Sequence, residues 1–115
     1  MTYPLVPIVA RRRRGERFLE GDVYVGRPSR WGNPFRIGDT VWVSEREVRE
    51  TSLTRVEAID KYREWIAQHP ELIAELAARN PVRLLCWCAP EPCHADVLAA
   101  MLSVQRAAVA LEVQS

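Results

Sequence analysis

The sequence has one lysine, three cysteines and almost no net charge, and these scarcities limit the classes of protein to which it can belong. Lys61 is the only lysine, so nearly all of the 16 basic residues are arginine, a bias that GC-rich codon usage produces without any functional cause. The 15 acidic residues leave a formal net charge of +1. The chain as a whole therefore has no electrostatic field that would attract nucleic acid.

The cysteine count and the shortness of the apolar runs favour a cytoplasmic protein. Three cysteines cannot form a complete set of disulfides. No stretch is long enough to cross a membrane, and the arginines at 11–14 interrupt the only early apolar run, which does not fit a signal peptide. We therefore expect a cytoplasmic chain with reduced thiols and no membrane contact.

The remaining composition, 48% apolar and 27% charged, predicts one folded domain over residues 1–115. Strands are predicted over 3–10, 22–27 and 82–88. The last of these is almost continuously apolar, as expected of a strand covered on both faces. A hairpin is predicted over 35–43, with Gly38-Asp39 as its turn.

Helical patterns alternate with these strands. The clearest helix, over 52–70, begins with the capping box of Thr54 and Glu57. Pro70 ends this helix or begins the next one, which continues over 71–80, and a final amphipathic helix is predicted over 93–113. This order predicts a small α/β domain in three layers, with a mostly parallel sheet, a main central helix and a C-terminal helix.

The segment CWCAPEPCH contains every cysteine of the chain. Cys86 and Cys88 are predicted to point to the same face of the strand, and Cys93 and His94 to open the last helix, with Pro92 in its first turn. Open α/β sheets bind ligands at the carboxyl ends of their strands, where this segment falls. A thiol at a helix N-terminus is also made more acidic.

Three interpretations of this segment compete. Cys88, Cys93 and His94 could bind zinc, although structural zinc sites usually use two ligand pairs far apart in sequence. Cys93 or Cys88 could be a functional thiol, with His94 as its base and Asp96 orienting the histidine. The cysteines could instead be buried structural residues, which is the interpretation we favour for Cys86.

A second unusual segment, GRPSRWGNPF, follows the strand predicted over 22–27. Arg27 and Arg30 offer guanidinium groups to a phosphate or a carboxylate. Trp31 offers a stacking face or anchors the loop, and Asn33 contacts a ligand or caps its own turn. The structural alternative is a loop held in place by a buried tryptophan and two prolines.

Together, VYVGRPSRWGNPF, AIDKYREWI and CWCAPEPCHADVL resemble an uncharacterised family of bacteria and their phages, domain of unknown function 4326. The resemblance covers about residues 22–102, and residues 36–53 look like an insertion that carries the predicted hairpin. It implies no particular activity, substrate or cofactor.

We expect one site where the two unusual segments meet, binding or acting on a nucleotide-like or nucleic-acid ligand. The predicted ligand-binding residues are Arg27, Arg30, Trp31 and Asn33, and the predicted catalytic residues are Cys88, Cys93, His94 and Asp96. One alternative is a non-enzymatic phage-type protein that modulates a host protein through the arginines at 11–14 or the insertion. Another is a zinc-stabilised nucleic-acid-binding module using Cys88, Cys93 and His94.

Overall fold

The structure of the protein, a computed structural model, describes residues 6–38, 40–41 and 51–114. Its centre is a three-stranded parallel sheet in which β5 (Arg83–Cys86) lies between β1 (Ile8–Arg11) and β2 (Asp22–Tyr24). Because all three strands run in the same direction, their carboxyl ends meet at one edge of the sheet. The predicted α/β fold with a parallel sheet is confirmed.

One face of the sheet carries the main hydrophobic core. Leu84 and Cys86 of β5 lie in this core together with Val23 and Val25 at β2, because alternate residues of a strand point to the same face. The helix α3 (His94–Gln114) packs on this side, against β1 and β5. The buried stripe of α3 includes the predicted Val97, Leu98 and Leu102.

The other two helices, α1 (Arg55–Ala67) and α2 (Pro70–Ala78), pack against α3 and against each other. The predicted capping box starts α1, since the Thr54 side chain accepts from the Glu57 amide and the Glu57 side chain from the Thr54 amide. Pro70 opens α2, where its missing amide hydrogen costs no hydrogen bond.

The face of the sheet away from the helices is also covered. Leu85 is buried there, and the side chain of Asp22 is only 1% exposed where it accepts two hydrogen bonds of 2.7 Å from Arg83. The Leu19 amide, from the chain between β1 and β2, donates to the same carboxylate. The Arg83 guanidinium holds the pKa of Asp22 below its usual value.

The hairpin prediction differs from the structure. Thr40–Val41 (β3) pairs antiparallel with Thr51–Ser52 (β4) rather than across Gly38-Asp39, and the described residues 35–38 form no strand. The Gly38 amide instead donates to the carbonyl of Leu53. Residues 39 and 42–50, which make up much of the predicted hairpin and insertion, lie outside the described residues, as do residues 3–5 of the first predicted strand.

In the part of the chain that the structure describes, none of the helices combines the length and the apolar character needed to span a bilayer.

Candidate functional site

A cavity of about 140 Å³ lies at the carboxyl edge of the sheet, where the two unusual segments meet. The glycine-proline segment contributes one wall, the cysteine segment another, and the first turns of α1 a third. The residues lining the cavity are Gly26, Arg27, Asn33, Phe35, Ile37, Arg55, Ala58, Ile59, Cys86, Trp87, Cys88, Pro92, Cys93 and His94. The sequence therefore predicted correctly that these segments lie side by side.

Two consecutive turns fold the glycine-proline loop back on itself and place Arg27 at the cavity. The Ser29 amide donates to the Gly26 carbonyl, and the Gly32 amide donates to the Ser29 carbonyl. A Cβ at Gly32 would lie 3.0 Å from the Arg27 Cα, so the close return of the chain requires glycine at this position. Tyr24 donates its hydroxyl to the Arg27 carbonyl at 2.5 Å, which fixes the backbone beside the cavity.

The side chain of Arg27 is left available by this arrangement. It is exposed, and among the described residues its guanidinium makes no hydrogen bond or ion pair. By contrast, Arg30 points to α2, where it forms a 2.7 Å ion pair with Glu75. The two arginines of one loop therefore have different environments, and only Arg27 lines the cavity.

Trp31 anchors the loop and does not line the cavity. It is 4% exposed, and its indole Nε1 donates to the Leu72 carbonyl of α2 at 2.8 Å. The Tyr62 hydroxyl of α1 donates to the Trp31 carbonyl at 2.7 Å, and the Arg79 guanidinium lies 5.0 Å from the centre of the indole ring. The structural interpretation of Trp31 as an anchor is the one the geometry supports.

Asn33 lines the cavity, but its amide is engaged by the protein. Its Nδ2 donates to the Ala58 carbonyl of α1 at 3.2 Å, and its Oδ1 accepts from the Phe35 amide at 2.9 Å. Asn33 thereby joins the loop to α1 and caps its own turn, and it holds the cavity wall rather than offering a free amide to a ligand.

In the cysteine segment, the pair that meets is Cys86 and Cys93. Their Sγ atoms lie 3.2 Å apart, and both residues are buried. The strand β5 ends at Cys86, so Cys88 lies beyond it and is exposed, and the prediction that Cys86 and Cys88 share a strand face is wrong. The prediction that Cys86 is a buried residue is confirmed.

The surroundings of these two sulfurs favour one thiolate. The hydrogen bond shared with the Cys93 thiol, together with the backbone amides of Ala89 and Cys88, lowers the pKa of Cys86. The adjacent Cys86 sulfur and burial raise the pKa of Cys93. The pair therefore loses its first proton from Cys86 and keeps the second on Cys93.

Asp96 caps α3. Its Oδ2 accepts from the Cys93 amide at 3.0 Å, and its own amide donates to the Cys93 carbonyl at 3.0 Å, an arrangement like the carboxylate half of a capping box. The carboxylate expected to help orient His94 is thus bonded to the Cys93 amide, and it acts on His94 only through its charge. The helix begins at His94, so Pro92 precedes the first turn instead of lying in it.

His94 is a buried and neutral histidine. Its Nε2 lies 2.7 Å from the Val25 carbonyl, and its ring meets the Tyr62 ring edge-on at 5.1 Å between centroids. Burial lowers the pKa of His94, and the Arg27 charge lowers it further, against the opposing effects of the Val25 carbonyl and Asp96. Because a carbonyl only accepts, Nε2 carries the proton, and Nδ1 is left as the atom able to accept one.

The predicted metal ligands do not converge. Cys93 faces Cys86, His94 is bonded to a carbonyl, and Cys88 is exposed. Across residues 6–38, 40–41 and 51–114, no three histidine, cysteine, aspartate or glutamate side chains are arranged to hold a metal ion.

Sequence reasoning missed two residues that shape the cavity. Trp87 is 51% exposed and contacts the edge of Tyr24, with 6.4 Å between ring centroids. Arg55, the first residue of α1, donates to the Pro92 carbonyl at 3.1 Å and so ties α1 to the cysteine segment. The position of Trp87 at the end of an apolar strand was a signal of its place at the cavity. No local sequence pattern indicated the contact made by Arg55.

Fold and site together define a small α/β domain, with a parallel sheet and a cavity built from two motif-bearing loops. The family model Domain of unknown function (DUF4326) matches residues 8–104, and the chain belongs to this family. The match extends beyond the 22–102 that the motifs suggested. No curated protein and no solved structure matches the chain.

Proposed function

We propose that the cavity binds a small anionic ligand that carries a ring, of the nucleotide-like class. The observation that carries this proposal is the Arg27 guanidinium, which lies at the cavity without a partner among the described residues. An arginine fork matches a phosphate or a carboxylate. The exposed ring of Trp87 beside it offers a stacking face for an aromatic ring.

The size of the cavity defines how such a ligand is held. At about 140 Å³ it is smaller than the roughly 300–1,000 Å³ of pockets that enclose a whole drug-sized ligand, and close to the roughly 150 Å³ that holds benzene. One ring therefore enters, and the anionic group remains at the mouth with Arg27. A free mononucleotide or the end of a nucleic-acid strand has this form.

If the domain also acts on its ligand, the thiols at the cavity supply the chemistry. Cys86 is the more acidic thiol of the buried pair, and Cys88 is the exposed one. The Nδ1 of His94 serves as a base, since Nε2 is bonded to Val25. The free thiols fit the reducing cytoplasm, where we place this function.

A nucleotide panel measured by thermal shift tests the proposal. A ligand at one hundred times its Kd adds about 2.7 kcal/mol to stability, which raises the Tm of a domain of this size by on the order of 10 °C. Arg27→Ala should abolish the shift without lowering the Tm of the free protein, because this side chain is exposed.

Arg30→Ala is the matched control, since Arg30 is in the same loop but binds Glu75 on its far side. This variant should keep the full ligand shift. A shift that survives Arg27→Ala, or no shift from any nucleotide, nucleoside phosphate or inorganic phosphate, contradicts the proposal. The second outcome favours the non-enzymatic interaction protein.

A further inference from the structure

We propose that Cys86 and Cys93 are a redox-active pair, which a hydroperoxide oxidises to an intramolecular disulfide and a dithiol reductant restores. The proposal is independent of the ligand that the cavity binds. It rests on the 3.2 Å between the two Sγ atoms, which are held by separate elements, the end of β5 and the residue before α3.

The two sulfurs are close enough to form a disulfide bond after a small movement. A disulfide has an S–S length of about 2.05 Å, so the two sulfurs need to approach by only about 1.2 Å. Residues 87–92, which link the two cysteines, contain turns and no helix or strand. A small shift of this linking segment is sufficient, and neither β5 nor α3 needs to unfold.

The surroundings of Cys86 provide the nucleophile. The thiolate is the reactive form of cysteine, and the Cys88 and Ala89 amides and the Cys93 thiol all stabilise the charge on the Cys86 sulfur. Cys93, with its raised pKa, keeps its proton until the second step. One cysteine therefore reacts first and the other resolves, the division of roles found in redox pairs.

The access route determines the oxidant. Both cysteines are almost fully buried, but both line the cavity of about 140 Å³. Hydrogen peroxide or a small alkyl hydroperoxide fits this space, whereas a tripeptide disulfide is larger than the cavity. The oxidant class is therefore a small hydroperoxide.

The reaction proceeds in two balanced steps. The Cys86 thiolate attacks one peroxide oxygen, the O–O bond breaks, and the leaving alkoxide takes a proton from solvent to give an alcohol, or water from hydrogen peroxide. The sulfenic acid formed on Cys86 is then attacked by the Cys93 sulfur. The S–S bond forms, the S–O bond breaks, and hydroxide leaves with the Cys93 proton as water. Two thiols lose two electrons in total, and one peroxide gains them.

The experiment uses the Cys88→Ser variant, because Cys88 is exposed and would otherwise form disulfides between molecules. The reduced variant is treated with hydrogen peroxide, quenched, denatured and alkylated, and its mass and peptides are measured. We expect two alkylatable thiols before oxidation and none after it, a peptide pair joined through Cys86 and Cys93, and recovery of both thiols with dithiothreitol.

Two further variants define the roles. In Cys88→Ser with Cys93→Ser, Cys86 should stop at sulfenic acid, which a dimedone probe traps. In Cys88→Ser with Cys86→Ser, Cys93 should remain a thiol under the same treatment. The proposal is overturned if both thiols of folded Cys88→Ser survive the oxidation, or if wild-type protein links Cys88 instead of the buried pair. The oxidation of Cys88→Ser requires a substitution only at an exposed position. Its result is therefore valid even where the variants at the buried Cys86 and Cys93 fail to fold.

Discussion

At the scale of single residues, burial and partners decide which charges the fold keeps. Asp22 is buried and ionised because Arg83 donates to both of its oxygens. His94 is buried and neutral because its ring bonds the Val25 carbonyl and, among the described residues, no carboxylate forms a hydrogen bond with it. The two side chains therefore have opposite charge states, and each has its own dependence on pH.

His94 should make the fold sensitive to mild acid. Its folded pKa lies below the ordinary histidine value of 6.5, so its contribution to stability is complete above about pH 6.5 and is lost as the pH falls below it. The loss is up to about 1.4 kcal/mol for each pH unit until the folded pKa is reached. Thermal unfolding of wild type and His94→Gln between pH 7.5 and 5 measures it.

The wild-type Tm should fall over this range more steeply than the Tm of His94→Gln, which has no group to protonate at this position. The Asp22 carboxylate does not interfere, because a lowered aspartate pKa acts only below about pH 4. If the Tm of the two proteins falls in parallel as the pH is lowered, protonation of His94 costs the folded state no stability. In that case the His94 side chain is not desolvated as described.

At the scale of the elements, the start of α3 is where the site and the fold coincide. Asp96 accepts the amide of Cys93, the residue that also supplies one sulfur of the buried pair. The cap thereby positions the Cys93 backbone one residue before the helix. Loss of the cap affects stability and thiol geometry together.

Asp96→Ala should lower the free energy of unfolding by about 1 kcal/mol, the usual cost of losing a helix N-terminal hydrogen bond. Asp60→Ala is the control, since Asp60 lies on α1 in an exposed pair with Arg63 that contributes at most about 0.5 kcal/mol. Urea denaturation of both variants measures the difference. An effect of Asp96→Ala no larger than that of Asp60→Ala would mean that the cap is not stabilising.

The elements also show why sequence reasoning succeeded in some places and failed in others. The α1 capping box, the opening of α2 by Pro70 and the apolar strand β5 depend on residues close together in the chain, so local patterns predicted them. Trp31 binds the Leu72 carbonyl 41 residues away, and Asn33 binds the Ala58 carbonyl 25 residues away. No local pattern reveals these two contacts. Their ligand-binding roles were inferred from residue type alone.

The cysteine segment shows the same limit at shorter range. The spacing of Cys86 and Cys88 suggested a shared strand face, but β5 ends at Cys86 and the chain turns at once. Which two of the three sulfurs meet depends on how the segment between β5 and α3 folds back. The sequence therefore predicted correctly that the two segments meet, whereas it did not predict which sulfurs pair.

At the scale of the whole molecule, the sheet depends on the strand that comes last. Within residues 6–38, 40–41 and 51–114, β1 and β2 do not pair with each other, and each pairs only with β5. Ile8 of β1, for example, lies opposite Arg83. Contacts between residues so far apart in sequence carry a large loop-closure cost and form late. The N-terminal strands have no sheet partner until β5 is present.

A chain that ends after Ala78 should therefore not fold to a part of this structure. It retains the segments of β1, β2, α1 and α2 but lacks β5 and α3, and isolated helices of 13 and 9 residues are marginal in water. Far-UV circular dichroism should show little regular structure, and heating should give no cooperative transition. A sigmoidal melt of this fragment would contradict the dependence on β5.

The central place of β5 also has a consequence during synthesis. Translation proceeds at about 5–20 residues per second, so roughly 4–15 s pass between the appearance of β1 and that of its partner. Throughout that interval β1 in the nascent chain has not yet formed its pairing with β5. The arginines that directly follow this strand are the kind of charged gatekeeper that prevents such a strand from joining a neighbouring chain. We expect the arginine run to limit such pairing before the protein has folded.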